Sequence, residues 1–548
     1  MSVRENRSNQ AVEAAPEAFG GAGIQGSTSV AGTLKEDPTV EPLDGLGSHR
    51  RHIRIAHLVA ARYLGRLIHV SGIGWLAWDG TRWDAEDGEK RATAAVMEAI
   101  NSLWPLVEPS APDAQKDKAL EADLISASTA SGARGVLHLT AVLTGISVPV
   151  AALDADPYLL NCENGTLDLR TGVLREHDPA DYNTKVTRAA YDPAATQPLW
   201  DEFLRRVLPD EEVRAFFQRF AGLALVGKVL QHVFPIATGT GRNGKGVAYQ
   251  TLCHTLGDYA GVADPALMEV VKSNPNAPSP AFFDLRGRRL VVLSETDTAI
   301  RISAALLKRL TGGDPIKARA LHRDPVEFLP SHSFLMVTNH LPELPAKGSD
   351  PAVWARVRAL PFDVVIPPEE QDPQLPEKLE AAADAVLAWM VEGLRQYWEM
   401  GLAEPEAVQE RTRAYADDQD LIRKFIEDEC EVNGLPGGAG ATTTNLHEAY
   451  KAWCVSEGVY KRDQLGRQKF AQALAQMGFP STKTRRGMIH DGIELRVVAA
   501  AASGVMPVPP ALAYGQAVAT PTAPAGGPAD PWAALPSTSS PTDNERTP

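Results

Sequence analysis

Cysteine is scarce in this chain, and its spacing excludes two classes of protein. The 548 residues include four cysteines, and no two of them form a Cys-x-x-Cys pair. A zinc ribbon and a disulfide-stapled scaffold are therefore not expected. Scattered thiols of this kind are typical of a reducing compartment. The four are Cys162, Cys253, Cys430 and Cys454.

Positive charge is also in deficit. Lysine and arginine number 54 against 69 aspartates and glutamates, which gives a formal net charge of −15. The chain as a whole therefore does not attract nucleic acid, and any such contact must use local basic clusters.

Long apolar runs are missing as well. The longest uncharged stretch between the two tails, Gly135 to Leu153, is interrupted by His138, Gly145 and Pro149, so it predicts buried structure and no membrane span. The polar N-terminus has no apolar segment of the signal-peptide kind. Residues 1–48 and 499–548 show no apolar period and are predicted to be disordered tails.

Between the tails, the hydrophobic pattern predicts a multidomain α/β protein. Residues 49–200 read as a mixed α+β domain with hairpins at Gly74–Trp83 and Asn164–Gly172. Residues 201–365 alternate helices with continuous apolar strands, which is typical of a parallel sheet covered on both faces. Residues 366–410 are a helical connector. Residues 411–498 contain three short amphipathic helices and a strand from Ile493, which suggests a winged-helix domain.

A glycine-rich loop is the most informative motif. It separates an apolar strand, Val233–Ala237, from a helix that is stopped by Gly257. In that setting, backbone N–H groups and the helix N-terminus form a nest for phosphates, and a lysine reaches the terminal ones. The predicted nucleoside triphosphate site comprises Gly239, Thr240, Gly241, Arg242, Asn243, Gly244, Lys245, Gly246 and Val247.

One position of this loop departs from the usual pattern. Such loops end in Gly-Lys-Ser/Thr, and the hydroxyl holds Mg²⁺. Here Gly246 follows Lys245, so that ligand is missing, and water or a carboxylate elsewhere must replace it. A chance glycine loop is the alternative, which the flanking strand and helix disfavour.

Polar residues follow the next apolar strands. Glu295 and Asp297 come after Leu290–Leu293, and either carboxylate can hold Mg²⁺ or orient a water molecule. Asn339 comes after Phe334–Val337, and its amide can hydrogen-bond the terminal phosphate, although asparagine is also an ordinary turn residue. Arg356 can stabilise transition-state charge in a neighbouring subunit. The alternative is that Arg356 and Arg358 are surface arginines on an edge strand with no role in catalysis.

Two basic clusters stand out in this acidic chain and are candidate DNA contacts. The first follows a helix capped by Ser303 and is predicted to form a hairpin. The second belongs to the predicted winged-helix domain, where a basic wing would contact duplex phosphates. In both cases a solvated basic surface is the alternative. The candidate DNA-binding residues are Lys317, Arg319, His322 and Arg323 in the hairpin and Lys483, Arg485 and Arg486 in the wing.

The order of these motifs resembles the superfamily 3 helicases, and within them the phage and plasmid primase–helicase family that is related to the poxvirus-type primase-helicase. The likeness extends from about residue 50 to 498 and includes Trp75–Trp83, Asn164–Gly172 and Tyr450–Cys454.

The resemblance implies an AAA+-like P-loop ATPase core in a ring, usually hexameric, that hydrolyses ATP with Mg²⁺ between subunits and moves along single-stranded DNA. It implies that Lys245 binds the β- and γ-phosphates, Glu295 serves Mg²⁺ and the attacking water, with Asp297 as second metal candidate, and Asn339 senses the γ-phosphate. Arg356 is then the finger from the next subunit, and the hairpin grips DNA in the channel. The same resemblance implies replication partners such as a primase or polymerase. It also implies a cytoplasmic location, in a bacterial host if a phage or plasmid encodes the chain.

Three other functions were weighed. A fused primase would need paired carboxylates for two metal ions, and Asp154 with Asp156 is the one candidate pair in the sequence. This pair lacks a histidine-bearing partner motif. A helicase without a primase domain is therefore expected. A DNA-binding replication initiation factor with weak or inactive ATPase is motivated by Gly246. A small-molecule P-loop kinase fits the loop but not the basic hairpin or the predicted winged helix.

Overall fold

The structure is a computed structural model, which describes residues 49–107, 114–269, 280–294, 300–319, 324–344, 350–432, 440–459, 461, 464–485 and 487–496. These residues all belong to one compact unit that ends at Arg496. Both predicted disordered tails lie outside the described residues. The elements before residue 200 are α1 (His52–Arg62), β1 (Leu67–Val70), β2 (Gly74–Trp78), β3 (Trp83–Asp84), α2 (Gly88–Leu103), α3 (Ala114–Ala127), α4 (Ala130–Thr140), β4 (Ser147–Val148), β5 (Leu159–Cys162), β6 (Gly165–Asp168), β7 (Val173–Arg175) and the start of α5 (Pro198–Val207).

The first sheet has the strand order β3-β2-β1-β4 and contains the predicted aromatic hairpin. β2 pairs with β3 in antiparallel fashion, with Trp78 opposite Trp83. The turn between them closes because the Asp79 carboxylate accepts the Arg82 N–H at 2.8 Å. α2 lies so close to β2 that a Cβ at Gly88 would come within 2.0 Å of the Trp75 carbonyl oxygen. Glycine is therefore required where α2 begins.

The second sheet, β5-β6-β7, contains the other predicted hairpin and joins the first sheet through Asn161. The Asn161 amide donates to the carbonyl oxygens of Thr81 at 2.8 Å and Lys185 at 3.0 Å. Asn161 is fully buried, so these bonds satisfy groups that water cannot reach.

The central region forms a five-stranded parallel sheet, as predicted. Its strand order is β14-β8-β13-β10-β9, and every pairing in it is parallel. β8 is buried along its whole length and β13 along all but its first residue, because helices cover both faces. The elements are α6 (Glu211–Leu223), β8 (Phe234–Thr238), α7 (Lys245–Leu256), β9 (Ala260–Ala263), α8 (Pro280–Phe283), β10 (Leu290–Ser294), α9 (Ala304–Leu310), β11 (Ile316–Ala318), β12 (Val326–Phe328), β13 (Ser333–Thr338), α10 (Pro351–Trp354) and β14 (Val357–Pro361).

The predicted connector is helical and packs against the core. It consists of α11 (Leu375–Glu380), α12 (Ala383–Met400) and α13 (Glu406–Asp418). α12 crosses α6 at two glycines: a Cβ at Gly222 would lie 2.1 Å from the Leu394 nitrogen, and one at Gly393 would lie 2.2 Å from the Gln218 carbonyl oxygen. α13 covers the edge strand β14, where the Ala359 N–H donates to the Thr412 hydroxyl at 2.9 Å.

A buried arginine ties the second sheet to the central one. Arg289, at the start of β10, is 4% exposed and donates to the carbonyl oxygens of Leu159 and Leu225. Its guanidinium lies 4.4 Å from the centre of the Tyr259 ring. The Tyr259 hydroxyl in turn accepts the Asn161 N–H at 3.2 Å.

The last region contains the three predicted helices around an aromatic core. The ring of Phe425 lies 5.6 Å from that of Tyr450, which lies 5.0 Å from that of Phe470. The strand predicted from Ile493 is present, but it pairs with β15, whereas the antiparallel hairpin is β17–β18. The elements are α14 (Leu421–Glu429), β15 (Cys430–Val432), β16 (Ala441–Thr442), α15 (Thr443–Ser456), α16 (Arg467–Gln476), β17 (Ser481–Thr484), β18 (Gly487–His490) and β19 (Ile493–Leu495).

Candidate functional site

The glycine-rich loop lies at the carboxyl end of β8 and leads into α7. Gly241 and Gly244 have φ angles of 95° and 79°, which only glycine adopts without strain. A Cβ at Gly239 would lie 2.1 Å from the Asn243 amide nitrogen and 2.2 Å from the Phe362 carbonyl oxygen. These contacts explain why glycine occupies the three positions and leave the loop backbone exposed to a ligand.

Lys245 is the first residue of α7 and is almost fully buried. Its ammonium donates to the Gly239 carbonyl oxygen at 2.9 Å and to the side-chain oxygens of Asn243 and Asn339, both at 3.1 Å. Asn243 is fixed because its amide donates to Phe362 at 2.8 Å. Two residues that the sequence predicted separately, Lys245 and Asn339, therefore meet.

Two adjoining cavities open at this loop. The first, of about 390 Å³, is lined by the loop from Gly241 to Val247 and by Tyr249, Ser294, Val337 and Asn339. The second, of about 470 Å³, shares Arg242, Gly244 and Val247 with the first. Its other walls are α5 and the segment after β14, which an ion pair between Arg206 and Glu370 connects.

Two hydroxyl groups of the first cavity were missed by sequence reasoning. Ser294, the last residue of β10, donates to the Tyr249 hydroxyl of α7 at 3.3 Å. The helical spacing offered a signal, because Tyr249 is four residues after Lys245 and so lies on the same side of α7. Glu295 and Asp297, the predicted metal ligands, lie outside the described residues.

The position after Lys245 is sterically open. A Cβ placed on Gly246 would meet no atom within 4 Å. The absence of a hydroxyl side chain at this position is therefore a feature of the sequence and does not result from crowding.

The two arginines of the predicted finger motif differ sharply. Arg358 is paired with Glu404 at 2.5 Å and is 16% exposed. Arg356 donates to the Ala352 carbonyl oxygen at 2.7 Å, and no carboxylate pairs with it among the described residues. Arg356 immediately precedes β14, so it lies at the amino end of the sheet, opposite the glycine-rich loop.

The predicted basic hairpin is present as β11 and β12. Lys317 is exposed and lies across from Glu327, while Arg319 is half-buried. His322 and Arg323 lie outside the described residues. The second strand packs against the first sheet, because a Cβ at Gly72 would lie 2.8 Å from the Val326 side chain.

In the last region, Lys483 and Arg485 are exposed at the β17–β18 hairpin, and Arg486 lies outside the described residues. The two basic surfaces predicted from the sequence therefore each retain at least one exposed cation in the structure.

The two aspartates of the candidate primase pair are bonded to other side chains of the fold. Asp154 accepts the Thr184 hydroxyl at 2.6 Å and faces Arg286 at 3.7 Å. Asp156 binds Arg170 at 2.6 Å. Burial acts to raise the pKa of Asp156, but the hydrogen bonds from Arg170 and the Tyr158 N–H, together with the charges of Arg170 and Arg289, outweigh it and hold that pKa below its usual range. Among the described residues, no group of three or more His, Cys, Asp or Glu side chains is arranged to hold a metal ion.

No described helix combines the length and apolar character that crossing a bilayer requires. This result agrees with the interrupted apolar stretch in the sequence.

Three domain families match successive parts of the chain. "D5 N terminal like" matches residues 56–209, a family of unknown function (DUF5906) matches residues 237–356, and "Poxvirus D5 protein-like" matches residues 417–492. The second match covers the glycine-rich loop and ends at Arg356.

Curated viral proteins are similar to the chain. "Putative helicase L207/L206" of Acanthamoeba polyphaga mimivirus is 29% identical over 297 residues, covering 50% of this chain and 31% of the relative. "Putative helicase 022R" of Frog virus 3 is 31% identical over 270 residues, covering 46% and 27%. A "Putative primase" of African swine fever virus is 21% identical over 335 residues, covering 56% and 34%. The matches thus span about a third or less of these relatives.

Among solved structures, the apo A form of the NrS-1 C-terminal region matches with a TM-score of 0.37 and 13% identity, covering 66% of this chain and 89% of that one. Models of the poxvirus D5 type match near both ends of the described region, and the viral relatives are named as putative helicases or primases. These matches support a relationship of the chain to the poxvirus D5-type primase-helicase family.

Proposed function

We propose that the protein is a superfamily 3 ATP-dependent DNA helicase that assembles as a ring, usually a hexamer, and moves on single-stranded DNA during phage or plasmid replication. The observation that carries the proposal is the convergence of Lys245 and Asn339 on one cavity at the carboxyl ends of β8 and β13. Ligands of open α/β sheets bind at this edge.

The first cavity suits the triphosphate. The loop amides and the N-terminus of α7 supply a positive partial charge, and the Lys245 ammonium adds a full one. In the structure this ammonium is bound to neutral oxygens, and a phosphate oxygen is a stronger acceptor than the Gly239 carbonyl. Asn339, at hydrogen-bonding distance from the lysine, is placed to detect whether the terminal phosphate is present.

The second cavity suits the base. Leu199, Phe203 and Ile366 give it apolar walls next to the phosphate loop. A planar purine gains from burial against such walls. Its position beside Gly244 lets a single nucleotide occupy both cavities.

The donor set at the first cavity fits Mg²⁺, because hydroxyl and amide oxygens line it. Glu295 and Asp297 remain predicted ligands. Bound Mg²⁺ would neutralise charge on the phosphates, and Lys245 and the loop amides would orient them.

The position of Arg356 supports cleavage between subunits. Arg356 lies one residue before the five-residue strand β14, while the phosphate loop follows the far end of the neighbouring strand. At about 3.3 Å per residue the two are separated by roughly 17 Å, which is too far for an arginine to span. In the proposed mechanism a second subunit therefore presents its own Arg356 to this pocket.

DNA contacts are assigned to two surfaces. Lys317 and Arg319 of the β11–β12 hairpin would contact single-stranded DNA, with His322 and Arg323 as further predicted contacts. The last region, read as a winged helix, would contact duplex phosphates through Lys483 and Arg485, with Arg486 as a predicted addition. The partners of Asp154 and Asp156 speak against a two-metal primase site at this pair, and the helicase would work with a separate primase or polymerase.

The test is ATP turnover with and without single-stranded DNA. Wild type should turn over ATP faster when DNA is present, and Lys245→Met should reduce the rate at least a hundredfold while keeping the unfolding midpoint. Lys118→Ala, at an exposed lysine of α3 that lines neither cavity, is the matched control. Equal rates in wild type and Lys245→Met would refute the site.

A second candidate function is a DNA-binding initiation factor with weak ATPase, which Gly246 favours. It predicts nucleotide and DNA binding by the wild type with turnover at background level. The same assay, accompanied by an ATP-binding measurement, separates the two functions.

A further inference from the structure

The proposed site lacks one expected oxygen. Loops of this kind place a serine or threonine hydroxyl on Mg²⁺ at the position that Gly246 occupies here. Mg²⁺ requires near-octahedral oxygen ligation, so a missing protein ligand must be replaced or its place must be taken by water. The surrounding space is open, which excludes steric crowding as the reason for the glycine.

Two other hydroxyl groups line the same cavity, and they are bonded to each other. Among its lining residues, Tyr249 and Ser294 carry the only hydroxyls. The Ser294 hydroxyl donates to the Tyr249 oxygen at 3.3 Å. A serine oxygen that donates its proton in this way keeps both lone pairs available for a cation.

The elements hold the two residues beside the lysine and the phosphate loop. Tyr249 is three residues after Gly246 on α7, so both positions lie on one side of the helix. Ser294 is paired in register with Val337 of β13, two residues before Asn339. Lys245, Asn339 and Ser294 therefore lie at the carboxyl ends of three strands that are adjacent in the sheet, or just beyond them.

We propose that Ser294 supplies the Mg²⁺-directed hydroxyl that Gly246 lacks, and that Tyr249 positions it by accepting its proton in a hydrogen bond. The proposal rests on the assignment of this cavity to a magnesium–triphosphate complex. Ser294 touches the metal, and Tyr249 acts through Ser294. The ligand has thus moved from the helix after the lysine to the end of a neighbouring strand.

The arrangement accounts for two features together. Glycine is tolerated at position 246 because Ser294 supplies the hydroxyl that this position usually provides. Tyr249 in turn has a polar partner at the cavity wall. A neutral tyrosine hydroxyl is a poor ligand for Mg²⁺. By accepting the hydrogen bond from Ser294, the Tyr249 hydroxyl instead orients the serine oxygen towards the cavity.

The test measures nucleotide affinity and needs no turnover. Dissociation constants for ATP are determined by calorimetry with the full chain, in Mg²⁺ and in EDTA. Ser294→Ala should weaken binding about tenfold in Mg²⁺ and leave it unchanged in EDTA. Tyr249→Phe, which removes only the accepting hydroxyl, should have a smaller effect in the same direction.

Rescue supplies the decisive arm. Gly246→Ser has room for its side chain. Added to Ser294→Ala in a double variant, it should restore the Mg²⁺-dependent ATP affinity. Ser333→Ala, at the opposite end of the neighbouring strand β13, is the matched control and should behave as wild type. Thermal melts without nucleotide check that each variant is folded.

The outcomes distinguish a wrong role for Ser294 from a wrong assignment of the nucleotide site. If wild type binds ATP in a Mg²⁺-dependent manner and Ser294→Ala does so equally well, the hydroxyl assignment is wrong while the nucleotide site stands. If Ser294→Ala loses affinity equally in Mg²⁺ and EDTA, the serine acts on the nucleotide and not on the metal, which also overturns the assignment. If wild type binds no ATP under either condition, both the site and the inference fail.

Discussion

Arg356 and Arg358 offer a sharp test of how subunits cooperate. The structure separates Arg356 from its own phosphate loop by roughly 17 Å along the sheet. Arg356→Ala should therefore leave ATP affinity within about twofold of wild type. Turnover should fall by about a thousandfold, the lower end of the range for arginine fingers. Among the described residues the Arg356 guanidinium has one hydrogen bond, to the Ala352 carbonyl oxygen, so the free energy of unfolding should change by no more than about 1 kcal/mol.

Arg358→Ala is the matched control on the same segment. It removes the ion pair with Glu404, which is largely shielded from solvent, and should lower the free energy of unfolding by about 2 kcal/mol. Turnover per folded molecule should persist, because this side chain is committed within its own subunit.

Mixing reveals in which subunit the finger acts. Lys245→Met and Arg356→Ala proteins are each expected to be inactive. In rings reassembled from equal amounts of both, about a quarter of the interfaces combine an intact lysine with an intact arginine from the neighbour. Turnover should therefore recover to about a quarter of the wild-type rate. A mixture no more active than its components, or an Arg356→Ala protein that turns over ATP normally, would refute cleavage between subunits.

Three further predictions concern stability and DNA. His332 is buried, and burial lowers its pKa from 6.5 to about 4 although an interaction with the Leu310 backbone acts in the opposite direction. The folded state thus resists protonation, and the stability contributed by neutral His332 is complete above pH 6.5 and is lost as pH falls towards 4. Between pH 7.5 and 5.0 this loss should reach about 2 kcal/mol in urea titrations and disappear in His332→Phe. Gly393→Ala should destabilise by about 3 kcal/mol in the same assay, because its Cβ would overlap the Gln218 carbonyl oxygen. Lys317→Ala should weaken single-stranded DNA binding and reduce the salt dependence by about one ion, measured by fluorescence anisotropy at several salt concentrations.

Matched controls exist for all three. His138 is exposed, so His138→Gln should keep the wild-type pH dependence. Gly466 has open space around it, so Gly466→Ala should be tolerated. Lys118 is exposed on α3, and Lys118→Ala should leave the DNA salt slope unchanged. If a control matches its test variant, the corresponding structural reason is wrong.

The sequence predicted those parts of the structure that depend on local pattern. The strands around Ile236, Val292 and Leu335 are continuous apolar runs, and such runs identify buried parallel strands without further information. The Asp79 turn and the Ser303 helix cap are equally local, because each is fixed by hydrogen bonds within three residues.

Contacts between distant residues could not be predicted in this way. Glu404 lies 46 positions after Arg358, and no sequence pattern indicated this ion pair, which distinguishes Arg358 from Arg356. Ser294 and Tyr249 meet only because β10 and α7 are neighbours in the folded sheet. A hydrogen bond of this kind depends on topology, which residue spacing along the chain does not encode.

The guanidinium of Arg289 limits how this protein can be divided. Its acceptors, the Leu159 and Leu225 carbonyls, come from segments on either side of residue 200. A fragment that begins after residue 200 would lose the Leu159 acceptor of Arg289 and the Asn161 donor to the Tyr259 hydroxyl. The central sheet should therefore be less stable without the residues before it, and any fusion that replaces them would have to supply new partners for these two groups.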